Sequence, residues 1–301
     1  MEIYKQISRN KRNTFFFFLL FFVLIIGVVF AISYLVSPES TYFFLILAFI
    51  LTVTGAFYSY YNSDKMVLKM TGARPVDKKR EPYLYHTIEG VAIAAGIPTP
   101  KAYVIETDIP NAFATGRNPE NGAVAVTRGL LDLLNREELE GVIAHEMAHI
   151  KNYDILFATI AVVMAGTIVF MTAIVRRMLF WGGGRSRGGK NQNPILFIVG
   201  LLAVIFAPIA ASMAQMAISR NREYLADATA AEMIGYPRGL SSALLKLESH
   251  NNPKKAAEDG WANEATAGLF IVNPLVKGKK VKNLFSTHPP ITERVKSLEK
   301  M

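Results

Sequence analysis

Two histidines and a glutamate lie close together in residues 145–149, whose sequence is HEMAH. On an α-helix, residues four positions apart share one face with Cβ atoms about 6 Å apart, so His145 and His149 could bind one metal ion. Glu146 lies beside this pair, where it could accept a proton from a metal-bound water molecule. This spacing is typical of zinc-dependent peptidases, so the predicted chemistry is hydrolysis of peptide bonds.

The residues around this pair predict the helix that would carry it. Asn135 is a candidate N-cap, and Glu138 follows three positions later, which is close to a capping box. Apolar residues then recur at helical spacing, at Leu139, Ile143, Met147 and Ile150. The two histidines fall on a different face from this stripe, so we do not expect them to be ordinary core residues.

A catalytic zinc site needs a third protein ligand and leaves one position to water. Downstream, Glu223 and Asp227 are again four residues apart in a segment that is predicted to be helical. One carboxylate could bind the metal while the other accepts the free N–H of a ligating histidine and fixes its tautomer. Such pairs are common on surface helices, so this pair alone is weak evidence for a metal site. It becomes strong evidence because it follows the HEMAH helix and a hydrophobic hairpin.

Hydrophobic residues make up 51% of the 301-residue chain and are concentrated in blocks. Four blocks have the length that a bilayer core requires, about 20 residues or more without a charged side chain. They are residues 15–36, 42–61, 155–175 and 195–218. The first is too long for a cleaved signal peptide and is followed at once by another. We predict a membrane protein with hydrophobic hairpins at residues 1–61 and 155–218, and soluble segments at 62–154 and 219–301.

Basic residues near the first two blocks predict the orientation of the chain. Bases precede the first block and follow the second, whereas the connection at residues 37–41 carries Glu39 and no base. The N-terminus and the segment from residue 62 onward are therefore predicted to be cytoplasmic. We interpret the net charge of +9 as the sum of these membrane-flanking bases, without a nucleic-acid partner.

The second hairpin is harder to orient, because its tip at residues 176–193 is rich in arginine and lysine. The positive-inside rule would keep this tip in the cytoplasm. Either the pair of blocks does not cross fully, or earlier segments dictate the topology and the basic tip is translocated. We expect the pair to cross.

The soluble segments predict a small α/β layer beside the helix that would carry His145 and His149. Residues 82–95 are predicted to be a helix, and residues 102–106, 111–115 and 123–127 are short β-like runs separated by turns. An extended substrate could add a strand to this sheet, and the candidate edge is Asn111, Ala112, Phe113 and Ala114. An ordinary internal strand explains these four residues equally well. Residues 251–268 are predicted to be a mobile loop that could gate the cleft.

Near the C-terminus, His288 precedes two prolines and Arg294 follows before a short terminal helix. A histidine and an arginine brought to a zinc cleft could stabilise the oxyanion of a tetrahedral intermediate. Taken alone, a histidine before Pro-Pro is more often part of a capped turn.

These motifs together resemble those of the HtpX heat-shock membrane metalloproteases. The resemblance rests on HEMAH, Glu223-x-x-x-Asp227, PNAFATG at residues 110–116, the THPPxxxR ending and the four hydrophobic blocks, and it covers nearly the whole chain. Those enzymes are gluzincin peptidases, in a family shared with the CAAX prenyl endopeptidases. The resemblance implies a zincin-like α+β cytoplasmic catalytic domain, with a small sheet beside the HExxH helix, joined to a helical membrane part.

The resemblance also implies roles for single residues. One zinc ion would be held by His145, His149 and Glu223, with Glu146 as general base and Asp227 orienting His145. His288 and Arg294 would serve the active site, and the strand at Asn111 would lie along the substrate. The implied function is quality control of misfolded or damaged proteins in the bacterial cytoplasmic membrane.

Two alternatives remain open at this stage. A prenyl-protein endopeptidase would use the same zinc chemistry, although four spans leave little room for a large intramembrane chamber. A non-enzymatic zinc-binding or transport protein is less compatible with the sequence, because the proposed ligands flank the hydrophobic blocks and do not lie within them. The chain has no cysteine, which excludes a cysteine nucleophile and fits a reducing compartment.

Overall fold

The computed structural model describes residues 2–36, 38–164, 220–259, 266–274 and 289–301. Two long helices come first: α1 (Glu2–Val36) and α2 (Thr41–Met70), joined through a 3₁₀ turn at Pro38–Ser40. They pack against each other, with the rings of Phe22 and Phe49 meeting edge to face at 5.6 Å. The N-terminal part is thus a helical hairpin.

One segment in the described part of the chain, Pro38–Met70, is long and apolar enough to cross a bilayer. Its large apolar side chains are exposed, with Phe43 at 66% and Ile46 at 62%, which suits a lipid-facing helix. The predicted first span falls within α1, and the third is described only to Met164. Residues 195–218 and the basic tip at 176–193 lie outside the described residues, so four spans are not confirmed.

The last turns of α2 leave the apolar stretch and enter the α/β core. Val67 is fully buried and Leu68 nearly so, in a cluster with Phe113 and Ala125 of the sheet. The guanidinium of Arg117 also lies 4.8 Å from the centre of the Tyr61 ring, and its Nη1 donates to the Tyr61 carbonyl at 3.2 Å. These contacts join the helical hairpin to the α/β part of the structure.

A four-stranded mixed sheet forms one layer of the α/β part. Its strands are β1 (Arg74–Pro75), β2 (Lys101–Ile105), β3 (Ala112–Gly116) and β4 (Gly122–Thr127), in the spatial order β1-β2-β4-β3. β2 runs parallel to β4, and the other two pairs are antiparallel. The three strands predicted from the sequence are present with bounds shifted by about one residue. The two-residue β1 was not predicted, since so short a strand has no alternation to detect.

Helices cover this sheet and carry the polar residues described above. They are α3 (Pro82–Ala95), α4 (Arg128–Leu133), α5 (Arg136–Lys151), α6 (Asp154–Met164), α7 (Arg220–Ile234), α8 (Pro237–His250), α9 (Pro253–Asp259) and α10 (Ile291–Leu298). α3 has the predicted bounds and ends at Gly96, whose positive φ of 68° suits a left-handed C-cap. The predicted loop at residues 251–268 is wrong over α9, which forms a short helix.

One apolar cluster joins residues 82–155 to residues 230–298. Its buried members include Val126 of β4, Met147 of α5, Ala230 of α7, Leu244 of α8 and Val295 of α10. Helix α5 lies in the middle, in contact with α3, α7, α8 and β3. It is therefore buried on nearly every side, not only along the apolar stripe seen in the sequence.

The chain bends sharply directly after α5. Tyr153 has a φ of +59°, in the left-handed region that costs a non-glycine residue energy, and α6 leaves at 86° to α5. Leu156, Phe157 and Ile160 of α6 then pack with Phe18 of α1 and Tyr60 of α2. The bend thus connects α5, which carries His145 and His149, directly to the helical hairpin.

Candidate metal centre

Helix α5 is fixed at its N-terminus by the predicted capping box. The Asn135 side chain accepts from the Glu138 backbone N–H at 3.0 Å, and the Glu138 carboxylate accepts from the Asn135 N–H at 2.9 Å. Glu138 also pairs with Lys246 of α8 at 2.8 Å. The two capping bonds close the first turn of α5, and the ion pair with Lys246 joins that end of the helix to α8.

Three side chains from two distant segments meet on the inner face of α5. The Nε2 atoms of His145 and His149 are 3.2 Å apart, and each lies 3.7 Å from a carboxylate oxygen of Glu223. One ligand atom from each residue lies within 4.8 Å of the others. Two imidazoles and a carboxylate are the donor set of catalytic zinc sites, so these residues fit a zinc ion.

The imidazole of His145 is held from behind by a buried ion pair. Its Nδ1 lies 3.0 Å from Asp227, which in turn accepts two hydrogen bonds from Arg294, at 2.7 and 2.8 Å. Asp227 and Arg294 are both completely buried. Burial lowers the pKa of His145, as does the positive charge of Arg294, so its ring is neutral and available to a metal.

His149 is held in the same way by Asp154, a residue that the sequence analysis missed. The Asp154 carboxylate lies 3.0 Å from His149 Nδ1. Asp154 is five residues after His149, a spacing that on an unbroken helix would place it on another face. The available signal was the polar run at residues 152–154 directly after the helix, but nothing in it predicted the bend.

The carboxylates around His149 favour a positive charge there. Burial alone would lower the pKa of His149, but the hydrogen bond to Asp154 and the charge of Glu223 outweigh it and raise the pKa to about 9. A cation is therefore stabilised at this point of the cleft, whether it is a proton or a metal ion.

Glu146 lies fully buried beside the three ligand residues. Burial raises the pKa of Glu146 to about 7, while the backbone N–H of Ala114 donates to its carboxylate and opposes this rise. A carboxyl group with a pKa near neutrality can both accept and release a proton at physiological pH.

Of the four predicted substrate-binding residues, Ala114 lines the cleft, together with His145, Glu146 and residues 268–271. All four lie at or beside β3, which is one of the two outer strands of the sheet. Part of this edge is already engaged, because the Ile271 N–H donates to the Ala112 carbonyl at 3.0 Å and the Asn111 amide donates to the Val272 carbonyl at 2.7 Å. Phe113 is buried and packs edge-on against Phe270.

The two residues predicted to act on the oxyanion have different outcomes. His288 lies outside the described residues. Arg294 lies behind the ligand residues, with its side chain directed at Asp227 and its Nη1 3.3 Å from Glu223 Oε2. This geometry suits the positioning of ligands more than direct contact with a substrate.

The model of the family described as Peptidase family M48 matches residues 78–301. A "Protease HtpX homolog" of Dictyoglomus thermophilum is 47% identical over 299 residues, covering 99% of this chain and 94% of that protein. One of Streptococcus gordonii is 44% identical over 303 residues, covering 99% of this chain and all of that protein.

Among solved structures, the crystal structure of S. mikatae Ste24p matches 92% of this chain with a TM-score of 0.49 and 19% sequence identity, and this chain spans 65% of that protein's length. The family match and the two close relatives cover the helices that carry His145, His149 and Glu223. On this basis, the chain belongs to peptidase family M48.

Proposed function

We propose that this protein is a membrane-bound zinc endopeptidase that cleaves misfolded or damaged proteins. The observation that carries the proposal is the meeting of His145, His149 and Glu223 at ligand distance beside the buried Glu146. The membership in family M48 and the names of the relatives support the same activity.

The proposed roles follow from the positions of the side chains. His145, His149 and Glu223 would hold zinc, which when bound would act as a Lewis acid. It would polarise the substrate carbonyl and lower the pKa of the attacking water. Glu146 accepts the proton of the attacking water on its carboxylate and delivers it to the leaving amine. Asp227 accepts the Nδ1–H of His145, so that the lone pair of Nε2 faces the cleft. Arg294 holds Asp227 in place with two hydrogen bonds.

For the substrate we propose the groove between β3 and residues 268–271. The support is that Ala114 and these four residues line the cleft on either side of the ligand cluster. Asn111 and Ala112 already bond to residues 271 and 272. An extended substrate would therefore pair with the Ala114 end of the edge, or replace residues 271–272 at the Asn111 end.

The membrane arrangement is also part of the proposal. It comprises the N-terminal hairpin at residues 1–61, a second hydrophobic hairpin at 155–218, and a cytoplasmic catalytic domain built from 62–154 and 219–301. The apolar, outward-facing helix Pro38–Met70 supports the first hairpin. A bacterial cytoplasmic membrane is the proposed location, and the proposed substrates are misfolded or damaged membrane proteins.

The proposal is tested by separating metal binding from proteolysis. Glu146→Gln keeps all three ligands but removes the proton acceptor, so we expect normal zinc content and a rate of cleavage about 10²–10⁴-fold lower. His149→Ala removes a ligand, so we expect loss of zinc as well. Zinc content and cleavage of an unfolded protein are measured on protein purified in detergent.

Full activity in the Glu146→Gln protein would refute the assigned mechanism. Wild-type protein that binds zinc but shows no chelator-sensitive cleavage of any unfolded or prenylated substrate would instead favour a zinc-binding protein without enzymatic activity.

A further inference from the structure

A buried carboxylate outside the HEMAH and Glu223 motifs touches the second imidazole of the cluster. Asp154 is the first residue of α6, and its side chain is only 6% exposed. Its Oδ2 lies 3.0 Å from His149 Nδ1, while His149 Nε2 faces His145 and Glu223. A ring held at Nδ1 in this way keeps Nε2 directed at the cluster.

The position of Asp154 depends on the break between α5 and α6. If α5 continued unbroken, a residue five positions after His149 would point about 140° away from it, at 100° per residue. The left-handed backbone of Tyr153 and the 86° turn bring Asp154 back toward the ring. Strained non-glycine residues persist where the surrounding structure requires them, often at functional sites.

A buried guanidinium balances the charge of Asp154. Arg222 is 9% exposed, its positive charge interacts with the Asp154 carboxylate, and its guanidinium lies 5.3 Å from the centre of the Phe157 ring. Arg222 directly precedes Glu223 on α7. The same helix therefore supplies a metal ligand and the counter-charge for the group that holds another ligand.

We propose that Asp154, with Arg222 as its counter-charge, is a positioning residue that holds His149 in the tautomer and orientation needed to bind the metal. This inference rests on the proposed zinc site. In this proposal, the bend after α5 places the carboxylate of Asp154 beside His149. The arrangement is the counterpart of the one in which Asp227 and Arg294 hold His145.

The test compares zinc affinity among full-length variants purified in detergent. Removing a group that orients a zinc-ligating histidine is expected to weaken zinc binding by about 10–100-fold, and we expect this for Asp154→Ala. Asp154→Asn should show a smaller loss, because its amide oxygen still accepts the His149 N–H without the charge. The control is Asp108→Asn, which removes an exposed carboxylate paired with Lys255, and it should bind zinc like the wild type.

Two readouts distinguish positioning from a merely structural role. Zinc dissociation constants come from competition with a chelator of known affinity, and thermal midpoints are recorded for the metal-free proteins. A structural role would lower the midpoint and leave the affinity of the folded protein unchanged. Wild-type affinity in both Asp154 variants would overturn the proposal, and if Asp154→Ala does not fold, wild-type affinity in Asp154→Asn alone overturns it.

The affinity ratio is independent of peptidase activity. If the wild-type protein binds zinc but cleaves nothing, the proposed function fails and the ratio still decides the role of Asp154. If the wild-type protein does not bind zinc at all, both the function and this inference fail.

Discussion

At the scale of residues, each of the two clustered imidazoles is backed by a carboxylate, and each carboxylate interacts with the charge of a buried arginine. Asp227 and Arg294 lie behind His145, and Asp154 lies behind His149. Buried charges are tolerated when they are paired and hydrogen-bonded, and otherwise cost several kcal/mol, roughly 3–5 when one partner is removed. Its pairing with Asp227 therefore accounts for the complete burial of Arg294.

Spacing alone predicted the residues whose partners are one helical turn away. His145 with His149 and Glu223 with Asp227 are such pairs, and the structure brings His145, His149 and Glu223 together. Asp154 could not be predicted, because its contact depends on a bend that the sequence does not specify. Nor could the direction of Arg294 be predicted, since that depends on how α10 docks against α7.

Glu81, which lies outside the cluster of ligand residues, predicts how the stability of the fold depends on pH. It pairs with Arg74 at 2.7 Å and with Arg128 at 3.0 Å, and the hydrogen bond from Arg74 leads the interactions that lower the pKa of Glu81 from 4.5 to about 2. A carboxyl whose pKa is lower in the folded state stabilises the fold above pH 4.5 and loses this contribution as the pH falls toward 2. We expect the wild-type thermal midpoint to fall over this range.

The Glu81→Gln variant should have a lower midpoint at neutral pH and a smaller fall on acidification, so that the two curves converge near pH 2. Thermal unfolding in detergent at several pH values measures this, with the exposed Glu258→Gln as control. A constant difference between wild type and Glu81→Gln at all pH values would show that the ion pairs do not set the acid dependence.

At the scale of elements, the position of α5 depends on a close crossing with α8. A Cβ added to Gly141 would lie 2.5 Å from the backbone nitrogen of Leu240, and one on Gly239 would clash with the Glu137 carbonyl. Two facing glycines therefore let the backbones approach directly. This contact fixes the helix that carries His145 and His149.

Gly141→Ala should force α5 and α8 apart and destabilise the protein by about 1–3 kcal/mol, the usual cost of overpacking. The matched control is Gly90→Ala in α3, where an added Cβ meets nothing within 4 Å. There we expect no loss and a gain of up to about 1 kcal/mol, because alanine favours helix more than glycine does. Equal midpoints for the two variants would contradict the role of this crossing.

The bounds of a helix can be predicted from the sequence where the residues that set them stand at its two ends. α3 has the predicted bounds because proline stands at its start and a left-handed glycine at its end. The apolar stripe of α5 predicted one buried face, whereas the helix is covered on nearly all sides. Burial by α7 and α8 depends on long-range packing, which periodicity within α5 does not report.

At the scale of the whole molecule, the helical hairpin and the α/β core form one continuous structure in the described residues. α2 enters the core at Val67 and Leu68, and α6 packs on both α1 and α2. The cluster of His145, His149 and Glu223 lies near the end of α5, which leads into α6. Substrates held in or near the membrane would thus be close to the proposed site.

The absence of cysteine allows a clean test of orientation. Single cysteines at the exposed positions Glu39 and Lys79 are each unique in the chain. If residues 1–61 form a hairpin with both ends in the cytoplasm, a membrane-impermeant maleimide added to intact cells should label Glu39→Cys. Lys79→Cys should react only after permeabilisation. The reverse pattern of labelling would contradict the proposed topology.

The most direct test of the whole account is titration of metal-free protein with zinc while cleavage of an unfolded substrate is followed. The account predicts that activity is absent without metal, rises with added zinc and saturates at one ion per chain, because the described residues form one cluster of two imidazoles and a carboxylate. Glu223→Ala should require far more zinc or remain inactive. Proteolysis that persists in the metal-free protein, or a Glu223→Ala protein with an unchanged titration curve, would contradict it.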